Sequence, residues 1–127
     1  MSVPQNSVVM SETRTERLQL LAKTETSSFL VGPQGGAGTG PNSFELLAAS
    51  LSACTCTTVR IYADRKKLPL ETVTVNVDFD GEQFNRTIML TGNLDEAQRT
   101  ELLEISEICP VTRILERSSR INTSLAS

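Results

Sequence analysis

The chain has no histidine and no tryptophan, one tyrosine and three cysteines in 127 residues. Without histidine there is no Ser-His-Asp triad, no Cys-His pair, no histidine metal ligand and no histidine general base. Nucleophilic and acid–base chemistry falls to Cys, Asp, Glu, Lys, Arg or Tyr. Three cysteines are an odd number for a secreted disulfide scaffold and too few for a closed four-thiolate zinc site. With four phenylalanines as the main aromatic content, the core must be aliphatic. The net charge is −3, with acids and bases interspersed. A basic stripe or tail is missing, which argues against a nucleic-acid partner. The start, MSVPQNSVVMSETR, lacks the basic-then-apolar order of a secretory leader. The uncharged stretch Leu46 to Val59 is 14 residues long and holds five Ser or Thr, short of a membrane span. The expectation is a cytoplasmic protein without membrane contact, a single domain over 1–127. A chain of this length can bury roughly two thirds of the surface its unfolded form exposes.

What is present has a clear order. Residues 7–31 read as three strands, around VVM, RLQLLAK and SSFLV. GPQGGAGTGPN, residues 32–42, then collects five of the seven glycines. It follows a strand and precedes a helix, where phosphate loops sit. It lacks the Gly-Lys-Ser/Thr ending and the GxGxxG pattern, so it reads as a mobile entry loop instead. Asn42 and Glu45 form a capping-box pair for the next helix. From Leu46 to Ala63 apolar or small residues occur on every side, the mark of a helix buried all round, which a partner subunit would help to cover. The helix closes with DRKK, matched to the negative end of its dipole, and Pro69 follows.

ETVTVNVDFDG alternates Val73, Val75, Val77 and Phe79 against Thr72, Thr74, Asn76, Asp78 and Asp80. That predicts an antiparallel sheet with one wet face. Asp80-Gly81 turns the chain and FNRTIMLTG returns as the hairpin partner. LDEAQRTELLEISEI is a helix with Asp95 as N-cap and Gln98 at the box position. CPVTRILERS starts another turn or two, and INTSLAS is expected as a closing edge strand. The predicted order is β-β-β-α-β-β-α-α-β, an α+β fold.

Cys54 and Cys56 lie mid-helix two residues apart, so they face different ways. They are poorly placed for a mutual disulfide or for chelating one metal, and packing alone would account for both. A metal site built from Cys54, Cys56 and Cys109 would also need a carboxylate or water as a fourth ligand, and no metal or other cofactor is expected. Cys109 differs, because Pro110 after it makes it the N-cap of a helix, where backbone amides favour a thiolate. A reactive Cys54 would need a cation from elsewhere, an Arg or a Lys.

GPNSFELLAASLSACTCTTVRIYADRKKLPLE, followed some 50 residues later by ISEICPVTRIL, resembles the OsmC/Ohr family of osmotically inducible and organic hydroperoxide resistance proteins. The shared pattern is a Gly-rich loop, a Pro–acid–Leu segment, a helix with Ala-Cys, a hairpin, and a Cys-Pro after the second long helix. The resemblance implies an intertwined homodimer, with antiparallel sheets wrapped around long central helices and active sites at the subunit interface. It implies a thiol peroxidase that reduces organic hydroperoxides, with Cys54 as the peroxide-reactive thiol and Cys109 as the resolving one. An external dithiol would restore both. Leu47 and Leu51 near Cys54 would favour organic peroxides over hydrogen peroxide. In the family an Arg held by a Glu assists the reactive thiolate. The usual Glu position is Phe44 here, with Glu45 next to it, and Arg14 and Arg17 are the candidates for the Arg. The rival reading keeps the fold and thiols as a redox-sensing or small-hydrophobe-binding module without efficient turnover.

Overall fold

A computed structural model describes residues 6–33, 40–117 and 119–126. The chain forms two compact units, Met1–Leu47 and Ala48–Ser127. Most of the glycine-rich loop lies outside the described residues, and with it the expectation that the loop is mobile.

The first unit holds three antiparallel strands in the order β1-β2-β3: β1 (Val9–Glu12), β2 (Leu20–Lys23) and β3 (Ser28–Val31). Leu20 pairs with Val31 and with Glu12, which sets the register across all three. Ala22 and Val31 are buried, whereas Val9, Met10, Phe29 and Leu30 are exposed. The unit ends in the first residues of α1 (Ser43–Lys66), the predicted long helix. Its capping box forms as expected. Asn42 Oδ1 accepts from Glu45 N at 2.8 Å, and Glu45 Oε1 accepts from Asn42 N at 2.9 Å.

The second unit holds the rest of α1, the hairpin β4 (Leu70–Phe79) and β5 (Phe84–Gly92), α2 (Glu96–Ser106) and α3 (Pro110–Glu116). The hairpin pairs Val75 with Ile88 and Val77 with Arg86. Val73, Val75, Val77 and Phe79 are half-buried and the residues between them exposed, as the alternation predicts. On α1, Leu51, Thr55, Val59 and Ala63 recur every fourth residue and form the buried stripe. Val59 and Ala63 meet Leu70 and Leu102 in a core flanked by Val73, Leu90 and Tyr62. Fully burying a side chain such as Leu102 contributes about 2 kcal/mol. By length and composition alone α1 is apolar enough to cross a membrane; of its residues Leu51, Thr55, Val59 and Ala63 are buried.

Two local features fix this unit. The ladder slips between Leu70 and Thr72, and Arg60 of α1 donates to the Leu70 and Glu71 carbonyls at 3.1 and 2.9 Å, satisfying backbone that the bulge leaves unpaired. Opposite it, Gly92 has φ +130°, and a Cβ there would overlap the Pro69 carbonyl oxygen.

Two expectations need correction. Residues 119–126 form no strand, and Ile121 and Leu125 are almost fully exposed; they pair with none of the described strands. Within one chain α1 is not buried all round: Phe44, Leu47 and Ile61 are exposed. Small residues on every side permit burial but do not supply the surface that covers them.

Candidate active site

The second unit brings Cys54 and Cys109 together. Pro110 forces Cys109 out of the helical region, to φ −63° and ψ 141°, and makes it the N-cap of α3 as the sequence predicts. Its sulfur accepts from Thr112 N at 3.4 Å. Cys54, one position before Thr55 of the buried α1 stripe, lies beside the Cys109 thiol and helps to lower it. Cys109 is fully buried while Cys54 is half-buried.

The cation in this site comes from β5. Phe84, Arg86, Ile88 and Leu90 share the inward face of that strand, so Arg86 takes a position that is otherwise apolar. Only 12% of its side chain is exposed. Arg86 Nη1 donates to Thr55 Oγ1 and to Thr112 Oγ1, both at 2.9 Å. Arg86 Nη2 pairs at 3.4 Å with Glu107, at the end of α2. Thr112 Oγ1 lies 2.9 Å from Cys109 Sγ, and Thr55 Oγ1 lies 3.7 Å from it. Thr55 donates its own proton to the Leu51 carbonyl at 2.7 Å.

Burial pushes the Cys109 thiol up. Hydrogen bonds from the Thr112 hydroxyl and amide, with the nearby Thr55 and Cys54 groups, outweigh it, so Cys109 lies below the ordinary thiol value. A cavity of about 510 Å³ opens beside Arg86 and Thr112. Leu51, Phe84 and Leu115 give it an apolar wall, and Glu82, Glu107 and Glu116 an acidic rim. Leu51 lines this cavity, but Leu47 and Cys54 do not and the lining is mixed, so it is not the aliphatic pocket around Cys54 that the sequence suggested.

The other predicted residues fall elsewhere. Arg14 and Arg17 lie between β1 and β2 in the first unit, around a second cavity with Glu12 and Glu16. Glu45 is engaged in the α1 cap, and Cys56 is half-buried. Among the described residues no three Asp, Glu or Cys side chains gather as metal ligands would. Sequence reasoning missed Arg86, Thr55 and Thr112. The signal was there for Arg86: in FNRTIML, an arginine breaks the apolar face of an alternating strand.

No curated protein matches the sequence. Solved structures do match in fold. An OsmC-like protein from Mycoplasma pneumoniae is 16% identical, with 89% of each chain covered and a TM-score of 0.70. A Legionella pneumophila protein described as an organic hydroperoxide resistance protein OsmC is 21% identical over 88% of this chain and 90% of that one, TM-score 0.56. The organic hydroperoxide resistance protein OhrB of Bacillus subtilis is 21% identical over 84% and 87%, TM-score 0.53. At such identities the likeness establishes the α+β fold with its antiparallel sheets. The family model for OsmC-like protein matches residues 35–124, well over half of the sequence, and the chain therefore belongs to the OsmC-like protein family.

Proposed function

We propose that this protein is a thiol peroxidase for organic hydroperoxides, with Cys54 and Cys109 as its redox pair. The observation that carries the reading is the juxtaposition of Cys54 and Cys109, 55 positions apart in sequence, with Cys54 half-buried and Cys109 fully buried. A hydroperoxide reaches Cys54 first. Its sulfur takes the terminal peroxide oxygen, the O–O bond breaks, and an alcohol leaves with the thiol proton. Cys109 then attacks the Cys54 sulfenic acid, and a disulfide and water result. An external dithiol returns two electrons and two protons. Structural relatives named for organic hydroperoxide resistance support the substrate class. The exposed apolar residues of α1 and the unpaired tail support a homodimer that covers them, in a soluble, cytoplasmic protein.

The test is peptide mass spectrometry on reduced protein given one equivalent of cumene hydroperoxide or of hydrogen peroxide. Fast formation of a Cys54–Cys109 disulfide, faster with the organic peroxide, is expected. Three unmodified thiols, or slow over-oxidation at Cys54 alone, would sink the reading in favour of the binding module. One observation favours that rival: Phe44 stands where peroxidases of the family carry the Glu that holds the assisting Arg.

A further inference from the structure

We propose that Arg86 is a positioning residue for the second step: through the Thr112 hydroxyl it holds Cys109 as the thiolate that attacks the oxidised Cys54 sulfur. The inference rests on the dithiol reading above and assigns a cation to its resolving thiol, Cys109, through Thr112.

The argument is a proton inventory. A guanidinium can only donate. Thr112 Oγ1 therefore accepts from Arg86 at 2.9 Å, and its one proton is free to point at Cys109 Sγ, also 2.9 Å away. Thr55 also accepts from Arg86, and its proton is engaged at 2.7 Å with the Leu51 carbonyl. The Thr112 amide donates to the same sulfur, and Cys54 lies beside it. Cys109 Sγ is thus where these donors converge, and donors aimed at a sulfur favour its thiolate form. The positive charge lies no more than two hydrogen-bond lengths away. Glu107 holds it from the far side at 3.4 Å and is itself exposed, so water screens the carboxylate more than the 12%-exposed guanidinium.

The charged and titratable groups brought to this cluster are Cys54 from α1, Arg86 from β5 and Glu107 from the end of α2. Their roles separate by step. Peroxide attack consumes the accessible thiol. Resolution forms the S–S bond from the Cys109 electron pair, breaks the Cys54 S–O bond and releases hydroxide, which takes a proton from solvent. Only the second step needs Cys109 as an anion, so the second step should depend on Arg86 more than the first.

The experiment uses two backgrounds. In Cys54→Ser/Cys56→Ser protein, Cys109 is the sole thiol, and its ultraviolet thiolate absorbance is followed against pH with and without Arg86→Gln. Loss of a unit charge at this range should reduce the thiolate population at neutral pH by about tenfold or more. Arg86→Lys, which keeps the charge but not the fork, should restore most of it. In protein with all three cysteines, Arg86→Gln should slow disulfide formation more than it slows Cys54 oxidation by cumene hydroperoxide, so that dimedone traps a sulfenic acid. Identical Cys109 titrations in parent and Arg86→Gln proteins would overturn the inference, as would disulfide formation without a lag. If peroxide leaves Cys54 untouched, the peroxidase reading fails, and the titration alone still decides whether Arg86 holds the thiolate. Should Arg86→Gln not fold, Arg86→Met, which keeps an unbranched side chain of similar reach without the charge, carries the titration: a shift towards the ordinary thiol value supports the role, and no shift overturns it.

Discussion

The two units of this chain are built to different standards of closure. The first has three strands of four residues each, and buries Ala22 and Val31 while Val9, Met10, Phe29 and Leu30 stay exposed. The second has strands of ten and nine residues, and seals Val59, Ala63, Leu70 and Leu102 between a hairpin and two helices. The only partner a short exposed strand has for its apolar side chains is another surface. The second unit makes its own surface, and places its polar network at the edge of that core. A hydrogen-bonded thiol, two hydroxyls and a guanidinium need fixed positions, and close packing supplies them.

The largest effects should fall on the chemistry of the second unit. Cys54→Ser is expected to reduce turnover of cumene hydroperoxide by about a thousandfold or more, since a serine oxygen cannot take the peroxide oxygen as sulfur does. Cys109→Ser should still consume about one equivalent in a burst and then stall, with over-oxidised Cys54 visible by mass spectrometry. Arg14→Gln and Arg17→Gln sharpen the comparison. If either removes more activity than Arg86→Gln, the chemistry depends on the first unit as well.

Stability should divide in the same way. Leu102→Ala empties a sealed position and should cost about 3 kcal/mol in urea unfolding. Leu30→Ala, at 40% exposure, should cost under about 1 kcal/mol if its face is open, by analogy with other exposed sites. A loss at Leu30 as large as at Leu102, and dependent on protein concentration, would mean that a second copy closes the first unit.

Much of this was legible in the sequence, and the reason differs by element. Each helix start was written locally: Asn42 with Glu45, Asp95 with Gln98, and Cys109 before Pro110 all sit where capping chemistry puts them. The hairpin followed from a period-two pattern. The cysteine pair came from the resemblance. The network around it did not, because Thr55, Arg86 and Thr112 lie on three elements and converge only through packing. Each was visible alone as a polar residue on an inward face. The tail failed for the opposite reason: Ile121, Thr123 and Leu125 alternate like a strand, but a strand also needs an edge to pair with.

Acidity offers a subtler probe of the second unit. The folded state holds Cys109 below the ordinary thiol value, so the unfolded state binds more protons between the two values. The stabilisation from its thiolate is complete above the unfolded thiol value and disappears as pH falls through the folded one. The advantage of reduced protein over Cys109→Ala should therefore grow as pH rises from the folded thiol value to the unfolded one. Arg86→Gln should flatten that growth, and a pH-independent difference in urea midpoints would contradict it.

The smallest expected effect lies at Glu45, the residue next to the position where peroxidases of the family carry their glutamate. Its carboxylate oxygen accepts from the Asn42 amide at 2.9 Å, a bond that glutamine reproduces with its own carbonyl oxygen. Glu45→Gln should therefore change stability by under about 0.5 kcal/mol, the difference being the loss of a negative charge at the helix start. Asn42→Ala, which removes the other half of the box, should cost about 1 kcal/mol. If capping is all that Glu45 does, Glu45→Gln leaves the rate of Cys54 oxidation unchanged, whereas a loss of tenfold or more at preserved stability would show its charge at work on the thiol. That single substitution tells a helix cap from an electrostatic partner, because it keeps the geometry of the first and deletes the charge required by the second.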